Sequence, residues 1–105
     1  MLINCLKITH QALHYITINC HNSLEEICVD ADNSNLNALS KLLLKCRKVR
    51  NVFLGADREL DPAGLEQVFI SADQLHELGL IGFLASEDAL CLVGKYCHDL
   101  RQLLA

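Results

Sequence analysis

The chain has 105 residues, 51% hydrophobic and 21% charged, with five Gly, one Pro and a net charge of −4; this describes one folded domain over 1–105 and excludes a disordered tail, a collagen-like repeat and a low-complexity linker. Residues 1–50 carry a net +2 and residues 51–105 a net −6, so positive charge is not spread along a face and nucleic acid is not an expected partner. The longest apolar runs, such as Leu42-Leu43-Leu44 and Leu78 to Ala85, are too short to cross a bilayer and no signal-like segment opens the chain, so no membrane partner is expected and the cytoplasm is the expected location.

Residues 2–8 (LINCLKI) and 12–20 (ALHYITINC) are β-branched and partly alternating, and the polar link at His10 and Gln11 predicts that they form an antiparallel hairpin. Residues 24–31 (LEEICVDA) predict a third strand. Asp32-Asn33-Ser34-Asn35 is a helix start, with Ser34 as a candidate N-cap. Leu36, Leu39, Leu43 and Cys46 then recur at helical spacing as far as about Lys48. Asn51 to Gly55 and Gln67 to Ile70 predict short buried strands. Between them, Asp61-Pro62 opens a brief turn of helix. Ser71 and Gln74 stand at capping-box spacing and predict a short helix closed by Gly79. Leu80 to Leu84 predicts a last strand. Ser86 caps a final helix whose apolar stripe runs through Ala89, Leu92, Val93, Tyr96, Leu100 and Leu103. This order predicts an α/β layered domain, with α+β as the alternative: a mixed sheet of about five or six strands and three or four helices, without internal repeat.

Six cysteines stand at 5, 20, 28, 46, 91 and 97. An even count invites a disulfide framework. They lie among Leu, Ile and Val at positions expected to face inward, where free Cys behaves as a small hydrophobe, so reduced thiols are the expectation.

Cys5, His10, His14, Cys20, His21 and Cys28 crowd the N-terminal third. The candidate metal ligands among them are His10, His14, Cys20 and His21. No C-x-x-C is present, and His10-x-x-x-His14 crosses a predicted turn, so the pattern lacks the paired spacing of zinc sites. No cofactor is expected. Cys91 lies within two turns of a helix start, but Glu87 and Asp88 there would raise a thiol pKa, and no catalytic residue is assigned. The glycines are too scattered to cradle a phosphate. Lys41, Lys45, Arg47, Lys48 and Arg50 read as a solvated helix end complementing the helix dipole, or as a docking site for an acidic partner. Ser34 reads as a helix cap or as a phospho-acceptor.

Several segments resemble the STAS domain of anti-sigma-factor antagonists. Leu6 to Cys20 is similar to its opening hairpin. Asp32-Asn33-Ser34-Asn35-Leu36 is similar to its D-S-S-G-L turn, with Asn33 and Asn35 in place of Ser and Gly. Leu75 to Leu80, Phe83 and Ser86-Glu87-Asp88-Ala89-Leu90 resemble its C-terminal portion. The resemblance implies a partner-switching module with Ser34 in the phospho-acceptor region. Residues 65–80 (LEQVFISADQLHELGL) also resemble a strand-helix segment of DsrE/DsrH sulfur-relay subunits, with Ser71 near the place where sulfur-carrying members have Cys.

The expected function is a small non-catalytic binding or regulatory module with an unidentified protein partner, with homo-oligomerisation through an edge strand left open. A thiol- or sulfur-handling subunit and a Cys/His metal-binding protein are the alternatives.

Overall fold

Thr9 starts a helix where the sequence predicts a turn. Its backbone is extended, and its hydroxyl oxygen accepts a hydrogen bond from the Ala12 amide at 3.2 Å. That satisfies one of the free N–H groups of a first helical turn. Ala12, Leu13, Ile16 and Cys20 then lie on one side, with Leu13 fully buried and the others packed against the core. The β-branched residues of this segment favour a strand, but burying this stripe decides for a helix.

The computed structural model describes residues 2–6 and 8–105, with side chains from Ile8 onward. Strand and helix alternate throughout: β1 (Leu2–Leu6), α1 (His10–Cys20), β2 (Glu26–Asp30), α2 (Leu36–Lys45), β3 (Asn51–Ala56), α3 (Pro62–Ile70), β4 (Glu77–Gly82), α4 (Glu87–Tyr96) and β5 (Gln102–Leu104). The strands form one sheet in the order β1-β2-β3-β4-β5, and every neighbouring pair is parallel.

This overturns the predicted mixed sheet with an antiparallel hairpin. Residues 12–20 belong to α1, so the chain returns to the sheet as a parallel strand. Residues 67–70 close α3, because Asp61 caps that helix by accepting from the Gly64 amide and Pro62 stands in its first turn. Gly79 does not end a helix; it lies within β4. The final helix ends at Tyr96, and Leu103 of its predicted stripe belongs to β5.

The register exposes a repeat that the sequence reading missed. Leu2, Glu26, Asn51, Glu77 and Gln102 stand side by side, so successive strands lie 24, 25, 26 and 25 residues apart. The same spacing of apolar residues recurs at each step: Leu24-x-x-Ile27-x-Val29, Val49-x-x-Val52-x-Leu54 and Leu75-x-x-Leu78-x-Leu80. All nine of these side chains are buried. Leu100-x-x-Leu103 begins the pattern again. Cys46 and Cys97 hold one place in it, three residues before Val49 and Leu100. Each closes its helix with nearly the same torsions (φ −91 and −96, ψ 73 and 74) and donates its amide to a carbonyl of that helix. Ala72 stands at the corresponding place before Leu75 and is also buried. The recurring cysteine is thus a small residue that fits under a helix end.

Parallel crossovers are right-handed, and here each advances to the next strand without reversal. All four helices therefore cover the same face, lying side by side in chain order. Buried polar groups join neighbouring repeats. The Asn35 amide nitrogen donates to the Ile8 and Asp30 carbonyls, both at 3.0 Å, and its oxygen accepts from the Asp32 amide at 2.9 Å. Ser40 on α2 hydrogen-bonds Ser71 at the end of α3, 2.8 Å apart.

Candidate functional site: the uncovered sheet face

With the helices on one face, alternate strand residues point to the other. Across it the register sets three rows. Glu26, Asn51, Glu77 and Gln102 form the first. Cys28, Phe53, Gly79 and Leu104 form the second, and Asp30, Gly55 and Ile81 the third.

The second and third rows are apolar toward β4. A Cβ on Gly79 would stand 2.5 Å from a Phe53 ring carbon, so the ring lies directly over that glycine. Ile81 is 61% exposed, and Leu104, paired with Gly79, is exposed on the same face. Phe83, 57% exposed, stands past the end of β4 and borders a hollow of about 90 Å³ with Leu65 of α3 and Leu92 of α4. Gly82 makes the turn between Ile81 and Phe83. Its φ is +69, and its backbone approaches the Ala56 carbonyl so closely that a Cβ would lie 2.3 Å from that oxygen. The Phe83 amide then donates to the same carbonyl at 3.1 Å, fixing the turn that leaves β4. Among the described residues the remaining large exposed apolar side chains are Leu103 on β5 and, spread along the helices, Tyr15 and Ile18 on α1, Leu44 on α2, Ile70 on α3 and Leu90 on α4. Scattered residues of that kind are ordinary surface, whereas a contiguous patch signals contact.

At the C-terminal ends of β2 and β3 a cleft of about 370 Å³ opens, lined by Asp30, Asp32, Asn33, Ser34, Asp57 and Arg58. Ser34 is exposed on its rim. It is not the N-cap of α2, a place held by Asn35; its amide and hydroxyl both donate to the Asp32 carboxylate. The Ser34 hydroxyl is the main reason the Asp32 carboxyl is held below the usual range. Partial burial opposes it, while the Ser34 and Asn35 amides and the Arg58 charge add to it. Asn33 accepts from the Asp61 amide at 2.8 Å and ties the two rim loops together.

The predicted basic cluster is divided. Arg47 pairs with Asp73 at 2.8 Å, and the Arg50 guanidinium donates to the Arg47 and Val49 carbonyls. Lys41 borders a separate hollow of about 230 Å³ between α1 and α2, and Lys45 and Lys48 are exposed near the end of α2. His10 and His14 share one side of α1 at the same hollow, a helical spacing that the predicted turn had denied them, with Lys41 on its far wall. His21 closes α1, its Nδ1 3.1 Å from the Ile18 carbonyl. Cys20 is half-buried at the end of the same helix. Among the described residues no three His, Cys, Asp or Glu side chains gather where a metal ion could be held.

Cys20, Cys46, Cys91 and Cys97 are free thiols. Cys28 departs from the all-reduced expectation and is disulfide-bonded; the side chain of Cys5 lies outside those described. Burial raises the Cys46 thiol, with nearby Cys20 adding to the shift and Lys45 opposing it. Burial, and then the Asp73 charge, push Cys97 up from 9.0 to about 11. Between about pH 9 and 11 an unfolded chain would ionise this thiol while the folded chain keeps it protonated, so stability falls as pH rises through that window and is unaffected below it. In alkylation at neutral pH, exposed Cys91 should react first, and Cys46 and Cys97 only on unfolding. Rapid modification of Cys97 in the folded protein would contradict its placement.

No protein-family model, curated protein or solved structure matches the chain.

Proposed function

We propose that the chain is a non-catalytic protein-binding module, a stretch of leucine-rich-repeat solenoid that takes its partner on the uncovered sheet face. The repeating Leu-x-x-Leu-x-Leu spacing, with one strand and one helix per unit of about 25 residues, has the period and pattern of that architecture. Solenoids of this type present one continuous sheet surface for binding. The observation that carries the proposal is the cluster of Phe53, Ile81 and Leu104 on a face that no helix of the described residues covers. No helix of the described residues is long and apolar enough to cross a membrane.

The phospho-acceptor role that the STAS resemblance implies for Ser34 would act at the rim of this face. A phosphate there would replace the hydroxyl donated to Asp32 and add negative charge beside Asp32 and Asp57. The basic residues of α2 lie on the helix side and do not contribute to this surface.

Ile81→Ser combined with Leu104→Ser tests the reading. The two side chains are 61% and 44% exposed, so the variant should keep its unfolding midpoint. A partner that co-purifies stoichiometrically from the native host and is identified by mass should bind the variant at least about tenfold more weakly, the loss expected when two central apolar contacts are removed. Leu44→Ser, on the helix side, should leave binding unchanged. Equal binding by all three proteins would refute the proposal.

A further inference from the structure

The five strands contain three charged residues, Glu26, Asp30 and Glu77. All are acidic, all occupy the uncovered face, and none is in an ion pair among the described residues. Neither Lys nor Arg occurs in any strand. The acids frame the apolar patch: Glu26 and Glu77 lie one row above Phe53 and Gly79, and Asp30 one row below. Over Gly55 the two characters meet. A Cβ at that position would stand 3.2 Å from an Asp30 carboxylate oxygen and 4.0 Å from the Ile81 Cβ. Two glycines in neighbouring strands thus leave a shallow floor, with the Phe53 ring over one and the Asp30 carboxylate over the other.

Resting on the reading of this face as the binding surface, we infer that its partner presents an extended segment in which an apolar anchor is flanked by lysine or arginine. The anchor settles against Phe53, Ile81 and Leu104, and the cations reach Asp30 and Glu77. β2 and β4 are two strands apart, ~10 Å, which an extended segment spans in about three residues. The partner's charge therefore falls two or three positions from its anchor. An acidic segment or a nucleic-acid backbone would meet three unpaired carboxylates and be repelled.

The test is selection of random peptides displayed on phage against the whole chain, followed by equilibrium binding of the recovered peptides. The expected sequences carry an aromatic or aliphatic residue with Lys or Arg two or three positions away. Asp30→Asn together with Glu77→Gln should weaken them about three- to tenfold, and added salt should do the same. Ile81→Ser with Leu104→Ser should abolish binding. Recovered peptides without excess cations, or unaffected by Asp30→Asn/Glu77→Gln yet lost with Ile81→Ser/Leu104→Ser, would overturn the charge inference and leave the face standing. Peptides that bind the Ile81→Ser/Leu104→Ser protein as well as the native one, or a selection that recovers none, would overturn the face reading itself. Circular dichroism of each variant separates loss of binding from loss of fold.

Discussion

Asn35→Ala should lower the free energy of unfolding by about 3 kcal/mol, the range for stripping a buried polar group from several backbone partners. Asn35 is 1% exposed. It donates to the carbonyls of Ile8, after β1, and Asp30, at the end of β2, and accepts from the Asp32 amide. Alanine would leave these three backbone groups short of a partner where water enters poorly, and it would open a small void. Asn35→Asp should also destabilise, because a carboxylate accepts but cannot donate to the two carbonyls. Asn37, two residues on and exposed, is the control; Asn37→Ala should change stability by less than about 0.5 kcal/mol. Chemical denaturation of the three variants measures this. A loss below about 1 kcal/mol for Asn35→Ala would mean that these bonds do not hold the loops together.

Gly82→Ala is the second large effect, about 2–4 kcal/mol. The left-handed backbone alone disfavours a side chain by about 1–2 kcal/mol, and the new Cβ would also strike the Ala56 carbonyl oxygen at 2.3 Å. That atom belongs to the neighbouring strand and already accepts from the Phe83 amide, so relief requires the end of β4 to move. Gly79→Ala should be milder, because its 2.5 Å contact is with the Phe53 ring, and the ring can swing toward solvent. The ranking Gly82→Ala worse than Gly79→Ala separates a backbone requirement from a packing preference. The reverse ranking would show that Gly82 does not need its positive φ. Both variants should also weaken partner binding, one by shifting the end of β4 that carries Ile81 and the other by lifting Phe53.

Local signals were legible in the sequence, and long-range ones were not. Asp61-Pro62 and Ser86 start helices as expected, since a cap depends on residues within one turn. The stripe Leu36, Leu39, Leu43 marks α2 without ambiguity. Residues 12–20 failed because they satisfy two periods: Tyr15 to Ile18 alternate as a strand would, while Ala12, Ile16 and Cys20 repeat every four residues. Val68-Phe69-Ile70 is an apolar run too short for periodicity to decide; the Asp61 cap carries the helix through it, with Val68 and Phe69 buried and Ile70 exposed. The predicted mixed sheet followed from these two errors, because a chain read without α1 and a full α3 has too few crossovers for all its strands to run parallel. The missed signal was the recurrence of Leu24-x-x-Ile27-x-Val29 at Val49 and Leu75. Aligning those segments would have exposed the repeat, explained Cys46 and Cys97 as equivalent positions, and shown which strand residues face away from the helices. Ile81 then follows as a surface residue; read singly, it passed for the interior of a last strand. The basic cluster illustrates the opposite error, since nearness in sequence from Lys41 to Arg50 did not become one surface once Arg47 and Arg50 found partners along the chain.

The central claim is that partners meet the sheet and not the helices. The most direct measurement is site-specific photo-crosslinking in the native host, with a benzophenone side chain in place of Ile81 in one protein and in place of Leu44 in another. Both positions are exposed, one on each side of the molecule. The account predicts a discrete adduct to a single partner from position 81, competed away by excess unlabelled chain, and none from position 44. A specific adduct from position 44 with none from position 81 would place the partner on the helices and contradict it.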